Sequence, residues 1–302
     1  MSSSSLPSSY TTFSLPSILL SHHPPSSPTV TPIVVVTLNR PEARNGFTDI
    51  MADSLVTAFN TLSLDPRVKC VVLTGSDPKN KMFCAGMDFN AEQRVSPAAE
   101  LHRDGGGRIS VAMFRCNKPV IVAINGSAVG VGITMTLSAN IRIASTDAKV
   151  GFVFGRRGFC LEACSSFFLP RLVGTSKALH LATTGSVYPA THKLFDGLFS
   201  EVVAPDQVIP RALAIAEDIA VNVSGVSSRV MKDMIYRGVD SPEEAHLLES
   251  RLFHGLFRSK DAEEGVQSFM QKRAPDFKGT MEDGLPHYPW WTPVDVKPPA
   301  KL

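Results

Sequence analysis

The sequence predicts an α/β fold, a spiral α/β domain closed by a C-terminal helical segment. Three observations predict it. From Ile33 onward, short β-branched runs alternate with amphipathic stretches, the mark of βαβ units around a mainly parallel sheet. After Val203, apolar residues recur at helical spacing almost without interruption. The chain has 302 residues and is 43% hydrophobic, so it can bury a sizeable core even without its compositionally odd ends. No segment recurs at a fixed period, which sets solenoids aside.

Each element follows from its own residues. Residues 1–30 are rich in Ser and Pro, and the first charged side chain of the chain is Arg40, a composition that reads as a disordered tail. The core domain is expected over residues 31–280, helical from about 205, with a Pro-rich tail over residues 281–302. Ile33–Leu38 is an unbroken apolar and β-branched run, hence a strand. Thr48 and Asp49 can cap a helix running to about Leu62, with Ile50, Leu55, Phe59 and Leu62 on one face. Residues 70–74 read as a second strand, and residues 97–114 as a helix interrupted at Gly105-Gly106-Gly107. Val120–Ile124 and residues 141–144 are further strands, with a short helix over residues 132–139 between them. Another helix-like stretch begins at Glu162, and four more helices are expected over residues 209–221, 227–236, 242–257 and 262–272.

Composition narrows the function classes. Thirty basic against 28 acidic residues, without long runs, give a net charge of +2 and offer no groove for nucleic acid and no anionic membrane surface. No apolar stretch reaches the roughly 18 residues needed to span a bilayer. The five cysteines (Cys70, Cys84, Cys116, Cys160 and Cys164) are odd in number and lack C-x-x-C spacing, which reads as reduced thiols. No cluster of His, Cys, Asp and Glu has metal-ligand spacing, and no G-x-S-x-G marks a serine hydrolase. Gly130-Val131-Gly132 fails as a dinucleotide fingerprint because Met135 stands at the third glycine.

Two turns carry chemistry. Phe83-Cys84-Ala85-Gly86-Met87-Asp88 and Ile124-Asn125-Gly126-Ser127-Ala128-Val129-Gly130-Val131-Gly132 each follow a strand-like run and place small residues where peptide N–H groups can face a ligand. Two such donors aimed at one carbonyl oxygen form an oxyanion hole, in which a single donor is worth about 2.7–4 kcal/mol of transition-state stabilisation. Acyl chemistry is therefore the first expectation.

These two segments resemble the signatures of the enoyl-CoA hydratase/isomerase (crotonase) superfamily, and the resemblance extends over roughly residues 33–272. It implies a crotonase-like β-β-α spiral core, an acyl-CoA thioester substrate, and no cofactor beyond the coenzyme A that the substrate carries. It implies that the hole is formed by the backbone N–H groups of Met87 and Val131. Ala43, Asn45, Ala85, Gly86, Asp88 and Gly130 are then substrate-binding, the turn from Asn39 to Asn45 holding the adenine end of coenzyme A. A homotrimer or a dimer of trimers is implied as well. Hydratases of the superfamily use two glutamates, whose positions fall here on Thr134 and Phe154. Glu162, in Gly158-Phe159-Cys160-Leu161-Glu162-Ala163-Cys164-Ser165-Ser166, resembles the single glutamate of fungal-type peroxisomal isomerases. A carboxyl in such apolar surroundings has its pKa raised, as suits a group that moves a proton near neutral pH. The reading is an isomerase that moves a double bond from the 3 to the 2 position of an enoyl-CoA. The alternatives are a 2-enoyl-CoA hydratase in β-oxidation or toxin biosynthesis, and an inert acyl-CoA-binding subunit. Arg156-Arg157 is a candidate contact for coenzyme A phosphates, and the final Ala300-Lys301-Leu302 resembles the S-K-L address read by the peroxisomal import receptor, placing the protein in the peroxisome.

Overall fold

The elements recur as strand, strand and helix. The structure is a computed structural model and describes residues 6–92, 94–95 and 98–297. β1 (Ile18–His23) and β2 (Ile33–Leu38) lead into α1 (Asp49–Leu64); β3 (Cys70–Gly75) and β4 (Met82–Cys84) lead into α2 (Gly105–Arg115). β5 (Val120–Ile124) and β6 (Ser127–Val129) lead into α3 (Val131–Thr134), and β7 (Ile141–Ser145) and β8 (Lys149–Gly151) into α4 (Ser165–Val173) and α5 (Thr175–Thr184). β9 (Val187–Pro189) and β10 (Glu201–Val203) precede four helices: α6 (Val208–Asn222), α7 (Gly225–Arg237), α8 (Pro242–Phe257) and α9 (Lys260–Met270).

From β3 to β8 the first strand of each unit joins a large sheet and the second joins a small one, so the chain advances as a spiral. Among the described residues the large sheet has the order β1-β2-β3-β5-β7-β10 and the small one β4-β6-β8-β9. Pairing is parallel except at β1 and β9, which close one edge of each sheet antiparallel. Every residue of β3 and β5 is buried, which explains their unbroken apolar sequence: parallel strands covered on both faces have no polar side to show. On one face Val34, Val36, Val71 and Leu73 share a core with Met51, Leu55, Phe59 and Leu62 of α1. On the other, Ile33, Val72 and Ile121 meet Val208, Ala212 and Ala216 of α6. Each large side chain so buried contributes about 1.5–3 kcal/mol.

The structure departs from several expectations. Thr48 does cap α1, its side chain accepting the Met51 N–H at 3.1 Å, but Ile50 is 52% exposed, and Met51 takes its place on the buried face. Gly105-Gly106-Gly107 does not break a helix; it is the first turn of α2, capped by Asp104. The helix expected over residues 132–139 is only the four residues of α3, followed by turns. Of the tail expected to be disordered, residues 18–23 form β1, whose residues are alternately more and less buried, and Tyr10 is fully buried with its hydroxyl donating to Asp65 Oδ2 at 3.0 Å. Ser-rich, uncharged composition hid a strand because pairing with the free edge of β2 needs no charge. The C-terminal Pro-rich segment also packs on the body: Tyr288 and Trp290 lie against Val230, Leu248 and Leu252, and Arg115 and Arg103 donate to the Val294 and Val296 carbonyls at 2.8 and 2.7 Å. Ala300, Lys301 and Leu302 lie outside the described residues.

Candidate active site

β4 and β6 are parallel neighbours with Cys84 opposite Ala128, so the turns that leave their C-terminal ends run side by side. Both turns need glycine. Gly86 has φ 92° and Gly130 φ 57°, the left-handed region that a side chain disfavours. A Cβ on Gly86 would also stand 2.8 Å from the Val129 carbonyl oxygen. Met87 is held in a parallel bridge with Phe47, in which the Phe47 N–H donates to Gly86 O at 2.8 Å and the Asp88 N–H to Phe47 O at 2.9 Å. That pattern turns the N–H of Met87 itself away from Phe47. Val131 opens α3, so its N–H has no acceptor one turn back. Neither N–H finds an acceptor among the described residues, and both residues line one cavity of about 450 Å³.

Buried polar groups fix the first turn. Asn45, fully buried, accepts the Arg40 N–H at 2.9 Å and donates to the Ser76 and Phe83 carbonyls at 3.1 and 3.0 Å. Arg40 donates to Gly46 O at 2.5 Å and to Asp88 Oδ2 at 2.9 Å. Its hydrogen bond holds the Asp88 carboxyl below the usual carboxylate range. Ala85, Gly86 and Gly130 line the cavity. Three expected binding residues do not: Asn45 is spent on backbone carbonyls, Asp88 is paired with Arg40, and Ala43 ends a surface 3-10 turn, Pro41–Ala43. Arg156 is likewise tied to Thr184 O at 2.9 Å and Ser186 Oγ at 2.8 Å, whereas Arg157 reaches the cavity wall.

Glu162 enters the cavity from the turn before α4, not from within a helix. The two residues after it, Ala163 and Cys164, have φ 54° and 57°, a left-handed pair without glycine, costing on the order of 1–2 kcal/mol per residue. The Ser165 N–H and hydroxyl both donate to Glu162 O, at 2.9 and 2.6 Å, and hold this turn. Burial is the main cause that pushes the Glu162 carboxyl up to about 8; the hydrogen bond from Thr134 Oγ1 opposes the rise, and the neighbouring Asp104 carboxyl adds to it. Gly106 makes room for Glu162, since any Cβ there would collide with its Oε2. At the mouth, Phe89 and Phe159 stack with ring centroids 6.4 Å apart and give the entrance an apolar wall.

Sequence reasoning missed Asp104. Its signal was an ordinary capping pattern, an Asp three residues before Gly107, with nothing to say that residues 104 and 162 meet.

The comparisons with known proteins bear on this geometry. The family model described as enoyl-CoA hydratase/isomerase matches residues 29–280. This chain belongs to that family. Like this member, enoyl-CoA hydratase AFT3-1 of Alternaria alternata spans the domain, 48% identical over 83% of this chain and 84% of its own length. The (E)-benzylidenesuccinyl-CoA hydratase of Thauera aromatica is 34% identical over 82% and 96%. Among solved structures, the enoyl-CoA hydratase of Bacillus anthracis matches with a TM-score of 0.75 at 29% identity, covering 87% of this chain and 99% of that one. The sequence-based expectation of this superfamily and its α/β spiral is thereby met, and the chain is an enoyl-CoA hydratase/isomerase enzyme acting on coenzyme A thioesters. No group of residues that could hold a metal ion occurs among the described residues.

Proposed function

We propose that this enzyme adds water across the double bond of a 2-enoyl-CoA. The observation that carries the reading is the meeting, in one cavity, of the unpaired Met87 and Val131 N–H groups with the carboxyl of Glu162. In the reaction the thioester oxygen sits between the two N–H groups, which take up the charge that develops when C3 is attacked. Glu162, protonated at neutral pH, delivers a proton to C2. The relatives' names, enoyl-CoA hydratase AFT3-1 and (E)-benzylidenesuccinyl-CoA hydratase, support hydration over the isomerisation expected from the motif alone.

Isomerisation of a 3-enoyl-CoA is the second reading, favoured by Thr134 and Phe154 standing where the resemblance puts the two hydratase glutamates. Incubating the pure protein separately with 2-enoyl-CoA and 3-enoyl-CoA, and following mass for hydration and the ultraviolet absorbance of the conjugated enoyl thioester for isomerisation, decides between them. A gain of one water from the 2-enoyl substrate is expected; a 2-enoyl product from the 3-enoyl substrate with no hydration would overturn the reading, and binding without turnover would make the chain an inert subunit. We further propose assembly as a homotrimer or a dimer of trimers, supported by the apolar exposure of Phe253, Phe257 and Phe269 on α8 and α9, and checked by sedimentation against three or six times 32.6 kDa. Delivery to the peroxisome through Ala300-Lys301-Leu302 belongs to the same proposal. A tag at the N-terminus that leaves Leu302 free should report peroxisomal signal, lost when the three residues are deleted.

A further inference from the structure

The positions at which the family resemblance puts a hydratase's carboxylates hold Thr134 and Phe154, yet a second carboxyl does reach the site from another element. Asp104 lines the same cavity as Glu162, although 58 residues separate them in sequence. Its Oδ1 accepts the N–H of Gly107 at 2.5 Å and that of Ala163, the residue next to Glu162, at 3.3 Å. Its carboxyl is also close enough to that of Glu162 to add to the rise in the Glu162 pKa. A residue present only to cap α2 needs the Gly107 bond; it does not need the Ala163 bond or the Glu162 contact. Gly106 shows the approach to be built in, since a side chain there would occupy the place of the Glu162 carboxyl.

We infer that Asp104 is the second proton carrier of this site, acting with Glu162 as one acid–base pair in hydration. The inference rests on the hydratase reading above. Two neighbouring carboxyls ionise together only at a cost, which adds to the burial that raises Glu162. Two backbone N–H groups hold the Asp104 carboxyl in place at the cavity wall. Burial favours the proton on Glu162. Asp104 then takes a proton from water as the water oxygen bonds to C3. The π pair of C2=C3 moves toward the thioester oxygen, held by the Met87 and Val131 N–H groups. The O–H bond of Glu162 breaks as C2–H forms. One water is consumed; Asp104 ends with the proton that water gave up and Glu162 without the one it delivered, and the site resets when a proton passes from Asp104 to Glu162. Other ionisable groups around this cavity are Asp49, Arg94, His102, Arg157 and Cys160, with Cys164 close to Glu162.

Asp104→Asn tests this, because Asn caps a helix about as well as Asp and so spares α2. Hydration of 2-enoyl-CoA is measured for wild type and variant from about pH 5 to about pH 9, with the affinity for a saturated acyl-CoA and the thermal midpoint recorded beside it. The expected result is a kcat lower by about 10²–10⁴-fold, unchanged affinity and midpoint, and a pH–rate profile that keeps its alkaline limb and loses its acidic one. A kcat within about threefold of wild type overturns the inference, as does a loss that keeps both limbs, which would mark Asp104 as a helix cap. Should Asp104→Asn fold poorly, Asp104→Ser, also a capping residue, serves in its place and is read by the same criteria. A wild type that fails to hydrate 2-enoyl-CoA overturns the hydratase reading and this inference together, an outcome seen before any variant is made. Failure of the inference alone is a hydrating wild type matched by its Asp104 variant.

Discussion

Glu162 keeps its proton up to about pH 8 because burial penalises the carboxylate, and that has a thermodynamic consequence. In the unfolded chain the same group ionises near its ordinary value of 4.5. Between these two values the folded protein binds more protons than the unfolded one, so stability falls as pH rises. The contribution is fully present below about 4.5 and is lost as the pH climbs through about 8. Glu162→Gln removes the ionisable group while keeping its shape. It should gain stability on the order of 1–3 kcal/mol at alkaline pH and little in acid, with the open cavity keeping the gain below the full linkage value. Urea unfolding at the two pH extremes checks this; an equal gain at both would assign the effect to packing. The same variant should lose about 10²–10⁴-fold in turnover while still binding acyl-CoA, measured by steady-state kinetics and titration. Glu162 was legible because it stands in a motif, Cys160-Leu161-Glu162-Ala163-Cys164-Ser165-Ser166, that resembles a known single-glutamate site. Asp104 was not, because its partner is set by where α2 begins, and three glycines in a row gave no sign of a helix start.

At the scale of elements, the site depends on two turns held in register by three-residue strands. β4 and β6 bring Gly86 and Gly130 together, and neither turn can reach its conformation easily with a side chain. Gly86→Ala places a methyl group 2.8 Å from the Val129 carbonyl oxygen at φ 92°. The turn must shift, and with it the Met87 N–H. A loss of about 10²–10³-fold in kcat is expected, the cost of one oxyanion donor, with circular dichroism unchanged. Activity near wild type would mean that the Met87 N–H does not serve the reaction. The two signature turns could be read from sequence because each follows a long apolar strand, β3 or β5, that burial on both faces had written plainly. The short strands β4, β6, β8 and β9 could not. Three residues carry no period, and they are strands only because the neighbouring strand supplies their hydrogen bonds.

The whole molecule is closed at its N-terminal edge by a segment whose composition promised nothing. β1 pairs with all six residues of β2, from Ile18 opposite Leu38 to His23 opposite Ile33. Ahead of it, Tyr10 inserts into the main core, and its hydroxyl meets Asp65, whose carboxylate is also held by Arg67 at 2.7 Å. Arg67 reaches back to Pro7 O at 2.7 Å, so the N-terminal segment is fastened to the loop between α1 and β3 at both levels. Loss of this segment removes three large buried side chains, Tyr10, Ile18 and Leu20, and leaves β2 as an open edge. At about 1.5–3 kcal/mol for each side chain, the cost is on the order of 5 kcal/mol, comparable with the whole stability of many domains. Deleting residues 1–24 should therefore lower the thermal midpoint sharply and promote association through the exposed strand, because an unpaired flat edge is a template for another chain. Thermal unfolding and light scattering of the truncated protein, beside Tyr10→Ala in the full chain, measure the two contributions separately. A truncated protein that melts with the wild type and stays dispersed would show that the N-terminal strand is dispensable and that β2 can serve as the edge of the sheet.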